Sequence, residues 1–347
     1  MEKMMNRLLS ARGALLVAAF VAGSAPFAAV AQEVNLYTTR EPKLIEPLLE
    51  AFTKDTKITV NSIFIKDGLA ERVKAEGDKS PADVLMTVDI GNLLDTVEQG
   101  VTQPVHSEAL SSAIPANLRG ADNEWFALSL RARLAYASKD RVKDNAITYE
   151  SLADPKWKGK ICVRSGQHPY NVALIAAHIV HHGADKTEAW LKGVKDNLAR
   201  KPAGGDREVA RDILGGICDI GLGNSYYVGL MRGGSGGPDQ QKWGEAITPV
   251  LATFEKGGTH VNLSGAAVAK NAPNKANAIK LLEYLVSNEA QAIYAKANFE
   301  YPVRSTAAVD PIIAALGKLS PDKVDLRAVA KARKQASELV DKVGFNN

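Results

Sequence analysis

Cysteine is scarce in this chain: Cys162 and Cys218 are the only two among 347 residues. Two distant thiols are too few ligands for a structural zinc site. An excess of one charge is also missing. The formal net charge is +4. The first 31 residues hold Lys3, Arg7, Arg12 and Glu2, so without them the balance falls to about +2. So even a balance gives no footing for a nucleic-acid partner or an anionic lipid surface. Past the N-terminus there is no apolar run long enough to cross a membrane, so no insertion is expected. Catalytic signatures are absent as well. There is no Gly-x-Ser-x-Gly elbow, no His-Glu-x-x-His and no Walker loop. Gly223-Asn-Ser-Tyr-Tyr227 lacks the second glycine that a nucleophile elbow needs. The expectation is therefore a protein that is not an enzyme. Repeats are missing too, and the one low-complexity stretch is Gly233-Gly-Ser-Gly-Gly237.

What is present begins with an export pattern. Lys3, Arg7 and Arg12 precede the apolar run Ala14–Ala22, and Ala29-Val-Ala31 has the small-x-small form that a signal peptidase reads. Residues 1–31 are thus expected to be a signal peptide, with Gln32 as the first mature residue. No cysteine follows the cleavage point, which argues against a lipid anchor there. An even cysteine count in an exported chain favours a Cys162–Cys218 disulfide. Both lie in apolar stretches that read as strands.

The remaining chain alternates strand and helix. Val34–Thr39, Ile58–Ile65 and Ala82–Val88 read as strands. Ile45–Thr53, Leu69–Glu76 and Asn92–Gln99 between and after them read as helices. That order implies parallel pairing through right-handed crossovers. The pattern resumes with strands at Leu134–Ala137, Lys160–Arg164 and Cys218–Gly223, and with helices at Tyr170–His182, Thr187–Leu198 and Glu208–Leu214. A further helix starts at Tyr226. Extended segments at 247–254 and 260–268 follow, then helices at 274–287, 289–297, 311–319 and 325–343. The glycine tract lies inside this pattern and reads as a surface loop rather than a linker.

Several stretches carry a family resemblance: Asn35-Leu-Tyr-Thr-Thr-Arg40, Ser80-Pro-Ala-Asp-Val84 with Thr87-Val-Asp89, Leu130-Arg-Ala-Arg133, Trp157-Lys-Gly-Lys-Ile-Cys-Val-Arg164, Arg200-Lys-Pro202 and Asn224-Ser-Tyr-Tyr227. In these the chain resembles the ferric-iron-binding branch of bacterial periplasmic substrate-binding proteins of type II, which serve ABC importers. The resemblance implies an α/β fold of two lobes, each a mostly parallel sheet flanked by helices, with the ligand cleft between them. It places the first lobe at 32–130 plus 257–307 and the second at 131–256 plus 308–347. It further implies a monomeric periplasmic protein that hands Fe³⁺ to an inner-membrane permease and its ATPase.

The chemistry of the residues agrees with such a cargo. Fe³⁺ is small, hard and highly charged, and prefers anionic oxygen. A phenol, normally neutral with a pKa of about 10, becomes a phenolate beside such an ion. Tyr226 and Tyr227 open one helix, and Tyr170 opens another just after Gly166-Gln-His-Pro169. Consecutive helical residues diverge by about 100°, so an adjacent pair reaches one point best at a helix start. These three are the expected metal ligands. Where some relatives carry His-Tyr after the first-strand arginine, this chain has Glu41-Pro42, which removes a fourth tyrosine. What remains resembles the branch in which three tyrosines share iron with a synergistic anion, typically carbonate. By that resemblance Arg40 and Arg131 hold the anion, with Arg133 as the alternative to Arg131. Guanidinium forks suit such a ligand. Glu41 is either a fourth ligand or an arginine's partner at the hinge. Asp89 reads as a support for ligand or hinge, His168 as part of a surface loop, and His178, His181 and His182 as a polar helix end. The rival reading is the same fold holding an organic anion, which would give no Fe³⁺–phenolate colour.

Overall fold

The computed structural model describes residues 32–144 and 146–347. The expected signal peptide lies outside the described residues. In chain order the elements are β1 (Glu33–Thr38), α1 (Pro42–Thr56), β2 (Thr59–Phe64), α2 (Leu69–Glu76), β3 (Val84–Thr87), α3 (Ile90–Glu98), β4 (Thr102–Gln103), α4 (Glu108–Ala113), β5 (Phe126–Ser138), β6 (Ile161–Cys162), α5 (Pro169–His182), α6 (Ala184–Asp196), α7 (Asp206–Leu214), β7 (Ile220–Asn224), α8 (Ser225–Arg232), α9 (Pro238–Glu245), β8 (Ile247–Val250), β9 (Val261–Ala269), α10 (Lys275–Leu285), α11 (Asn288–Asn298), β10 (Tyr301–Pro302), α12 (Pro311–Ala314) and α13 (Leu326–Lys342).

The first helix shows how sequence sets these bounds. Pro42, which lacks an N–H, starts α1 where that donor would be idle anyway. Ile45, Leu48, Leu49 and Phe52 then recur at helical spacing and are all buried. Lys57, in the left-handed region at φ 62°, ends the helix. The chain returns as β2, parallel to β1, and β3 pairs parallel on the other side of β1. This is the crossover order expected from the alternation. It does not extend through the whole sheet. The spine runs β2-β1-β3-β9-β5-β7-β6, and the long strands β5 and β9 run antiparallel to their neighbours. Parallel pairing reappears at β6 and β7.

All thirteen residues of β5 are buried. Its first half pairs with β9 and its second half with β7 and β8, so one strand runs through both regions of sheet. β9 is likewise buried throughout and leads back to β3. β5 is much longer than the Leu134–Ala137 segment visible in the sequence, because Arg131 and Arg133 interrupt its apolar run. The 311–319 helix shrinks to the single turn of α12, whose end tightens into i→i−3 bonds at Leu316 and Gly317. The glycine tract is the loop between α8 and α9, as the surrounding pattern implied.

Cys162, on β6, and Cys218, two residues before β7, form a disulfide with Cα atoms 5.8 Å apart. The bond closes a stretch with a sequence separation of 56 that includes α5, α6 and α7. In the loop-entropy account a closure of that length removes roughly 4 kcal/mol of unfolded-chain freedom. The Cys162→Ala/Cys218→Ala variant is accordingly expected to lose about 2–4 kcal/mol, read as a lower urea midpoint. An unchanged midpoint would show that the bond does not stabilise the fold.

Candidate metal centre

Two helix starts face each other across the end of β7. Asn224 closes that strand and Ser225 begins α8, so Tyr226 and Tyr227 occupy the first helical turn. Tyr136 on β5 donates its hydroxyl to the Asn224 carbonyl at 2.7 Å and fixes the turn. Gly223 must be glycine for this, since a Cβ there would collide with the Tyr136 ring. At the second start, Pro169 opens α5 and Tyr170 follows it. His168 caps this helix, its Nδ1 accepting from the Tyr170 N–H at 3.2 Å. Its ring also lies edge-on to the Tyr170 ring, 4.4 Å between centroids. His168 is therefore a helix cap and not the surface-loop residue the sequence suggested. Burial, then the charge of Arg164, lowers its pKa to about 4, so it is neutral at ordinary pH.

The three phenols meet. The hydroxyls of Tyr170 and Tyr226 are 3.0 Å apart, and the rings of Tyr226 and Tyr227 are 4.2 Å apart. All three side chains are half-buried. Burial pushes the Tyr226 phenol well above its ordinary pKa, and Tyr170 and Tyr227 beside it add to the rise. Burial and then Tyr170 raise Tyr227 as well. Tyr226 and Tyr227 are thus held close together as neutral groups, and a strong cation is needed to ionise them. Positive partial charge at two helix N-termini favours oxygen anions at this spot. Among the described residues no three His, Cys, Asp or Glu side chains form a group able to hold a metal.

The arginines sit deeper than an anion clamp on an open surface. Arg40 is 6% exposed and its fork donates to Glu300 Oε1 (3.0 Å), Ser264 Oγ (2.6 Å) and the Tyr294 hydroxyl. Burial works against its charge, but Glu300, Tyr294 and Tyr226 outweigh burial and raise its pKa. Arg131 donates to Ser264 Oγ at 3.3 Å and to the Val88 carbonyl. Arg133 is bound to Asp206 (2.5 Å), Asn171 (2.7 Å) and Asn224 (3.0 Å). A small cleft lined by Arg131, Arg133, Tyr170, Asn224, His260 and Asn262 adjoins the phenols. His260 is held down at about 4 by burial and is neutral there. A larger cavity, about 210 Å³, lies between Lys74, Gln99 and Lys270 and contains no tyrosine.

Asp206 is the residue that sequence reading missed. It is 1% exposed, pairs with both Arg133 and Arg164, and accepts from the Asn224 N–H at 2.9 Å. It so ties the strand end that launches α8 to the arginines behind Tyr170. As the first residue of α7, following Gly204-Gly205, it looks in sequence like an ordinary acidic helix start. Removing one partner of a buried ion pair strands the other. Arg133→Met is therefore expected to cost about 3–5 kcal/mol in a chemical-denaturation midpoint. A loss under about 1 kcal/mol, the range of exposed pairs, would show the pair is not working as a buried one.

Glu41 stands exposed at the N-cap of α1, and its carboxylate has no hydrogen bond or ion pair among the described residues. Asp89 caps α3 through the Gly91 N–H (2.8 Å) and pairs with Arg333 of α13 (2.7 Å) and Asn262 (2.7 Å). The three clustered histidines are each occupied. His178 bonds Thr187 (2.8 Å), His181 bonds Asp322 (2.6 Å) and His182 bonds Glu150 (2.7 Å).

Comparison with known proteins identifies the group to which this arrangement belongs. The family model for bacterial extracellular solute-binding proteins matches residues 79–318. The chain belongs to that family. Among relatives of this solute-binding protein, Iron uptake protein A1 of Synechocystis sp. is 40% identical over 316 residues, 90% of this chain and 88% of that protein. The solved structure of the Bordetella ferric binding protein is 66% identical with a TM-score of 0.88, covering 91% of this chain and 100% of that one. A Trichodesmium structure in complex with iron and citrate ligands is 43% identical with a TM-score of 0.85, covering 90% and 99%. The fold is thus that of periplasmic binding proteins. The relatives are iron-uptake and ferric-iron-binding proteins and not enzymes.

Proposed function

We propose that this solute-binding protein captures Fe³⁺ in the periplasm through Tyr170, Tyr226 and Tyr227 and delivers it to an ABC importer. The observation that carries the reading is the convergence of three phenols, two of them 3.0 Å apart, at facing helix starts. Three phenolates cancel the charge of a trivalent ion and leave coordination positions open. A synergistic anion such as carbonate fills them, with Arg131, which lines the adjoining cleft, as a guanidinium support. The Trichodesmium relative, in complex with iron and citrate ligands, supports an oxygen-rich anion as the companion of iron. Arg40 and Arg133 act more by setting the electrostatics than as a free fork, since their donors already bind Glu300 and Asp206. Glu41, exposed near the end of β1, is available as a further carboxylate.

Capture works by closure of two lobes, 32–130 plus 257–307 and 131–256 plus 308–347, about β5, the long strand that runs from one into the other, and the segment that leads into β9. The first lobe carries Arg40 and Glu41, and the second carries the tyrosines. Closure brings the two sets together and presents a closed form to an inner-membrane permease, whose ATPase drives release. The test is a titration of the purified mature chain with a ferric chelate, with and without carbonate, followed by metal analysis. A visible charge-transfer band saturating at one iron per chain is expected, weakened when carbonate is removed. Absence of the band, with an organic anion recovered instead, would replace this reading by the organic-solute one.

A further inference from the structure

The guanidiniums nearest the tyrosines do not point only at carboxylates. Arg164 lies over the Tyr170 ring, 5.2 Å from its centroid, and Arg133 lies 5.9 Å from the same ring. Arg207 lies over the Tyr227 ring at 5.7 Å. The first two are anchored by buried Asp206, and Arg207 is anchored by Gln240 Oε1 at 3.1 Å. Gln240 belongs to α9, which the glycine loop joins to α8. Both the Tyr226 ring (4.2 Å between centroids) and the Arg207 guanidinium thus lie against the Tyr227 ring.

We propose that Arg207 is a positioning and tuning residue of the iron site, acting through the face of the Tyr227 ring, as Arg164 does through that of Tyr170. The proposal rests on the reading of Tyr227 as an iron ligand. A cation over an aromatic face is attracted by the ring's negative quadrupole. When the phenol becomes a phenolate, the ring gains negative charge and the attraction grows. The interaction is thus stronger in the iron-bound state than in the free one, and only such a difference adds to affinity. Arg207 also stabilises the electrons that the phenolate donates to iron, which raises the energy of the ligand-to-metal transition. Arg207 makes no ion pair among the described residues, so its charge is not spent on a carboxylate, unlike that of Arg133 and Arg164. This makes it the residue to change.

The experiment compares wild type, Arg207→Met and Arg207→Lys, each loaded with Fe³⁺ and carbonate at one fixed pH, by visible spectrum and by competition with a chelator. Arg207→Met is expected to shift the charge-transfer band to longer wavelength and to weaken binding roughly tenfold. Arg207→Lys, which keeps a cation, should recover most of both. A thermal melt matching wild type shows that the fold is retained. An Arg207→Met band and affinity equal to wild type would overturn the proposal. So would weaker binding without a band shift, because the arginine would then act through Gln240 or at long range. A wild type with no band at all would instead remove the iron reading itself, an outcome distinct from either.

Discussion

Replacing Tyr226 and Tyr227 together by phenylalanine should abolish ferric binding and the visible band while the protein stays folded. The size follows from comparison with weaker perturbations. Loss of a partner that merely orients a metal ligand costs roughly 10- to 100-fold in affinity. Loss of two direct ligands should therefore exceed about 100-fold. The structure explains why the fold should survive. Phenylalanine keeps both rings, so the Tyr226–Tyr227 contact and the packing of the first turn of α8 remain. What disappears is the 3.0 Å bond between the Tyr170 and Tyr226 hydroxyls, worth about 1 kcal/mol net. The measurements are a chelator competition, a visible spectrum and a melting curve on the same samples. Retention of parental affinity by the double variant would place the iron elsewhere in the molecule. Tyr170→Phe alone should fall between the two, with a weaker band, because one hydroxyl of three is gone.

Much of this was legible in the chain because it depends on local pattern. The sequence pattern put helix starts at Tyr170 and Tyr226, within one residue of the Pro169 and Ser225 found, and it also showed the strand that delivers Tyr226 and Tyr227. The disulfide followed from an even cysteine count in strand-like stretches. What the sequence concealed was pairing over long separations. Arg133 and Asp206 are 73 residues apart, and Arg40 and Glu300 are 260 apart. Each partner alone looks like a surface charge. The same concealment shortened β5 in the sequence reading, since Arg131 and Arg133 look like a strand end. They are in fact buried side chains whose charge is answered by residues from other elements. The arginines named from family likeness are all buried. Their contacts assign two of them first to internal carboxylates, which sequence alone had no means of showing.

That distinction bears on how the site holds charge. The surroundings of the phenols contain Arg40, Arg131, Arg133, Arg164 and Arg207, against the buried carboxylates Asp206 and Glu300. Burial disfavours the Glu300 carboxylate, but Arg40 and Arg131 outweigh it and hold its pKa below the ordinary value. An environment with more fixed cations than anions suits an extra anion and repels a bare metal ion, while burial keeps Tyr226 and Tyr227 protonated until the metal arrives. Ligand ionisation and iron entry are then coupled, since neither charge is stable there alone.

Iron affinity should accordingly rise steeply with pH. A free phenol has a pKa of about 10, and burial sets Tyr226 and Tyr227 higher still. Near neutral pH both are protonated in the iron-free protein. Each phenol that becomes a ligand must release its proton, so raising the pH removes a competitor of the metal and lowering it restores one. The slope of log affinity against pH equals the number of protons released. Three phenolates give about a thousandfold per pH unit, and a carbonate that arrives as bicarbonate adds one more proton. Acidification is therefore a route to release, and the direction is opposite to that expected for binding by protonated groups. The count can be read directly by pH-stat as iron is supplied from a chelate whose own protonation is known. About three protons per iron are expected for the parent chain without added bicarbonate and about four with it, and Tyr227→Phe, supplied with saturating iron, should release one fewer in either case. Release of one proton or none would mean that the metal is held by other groups and that the phenols stand beside the iron without binding it.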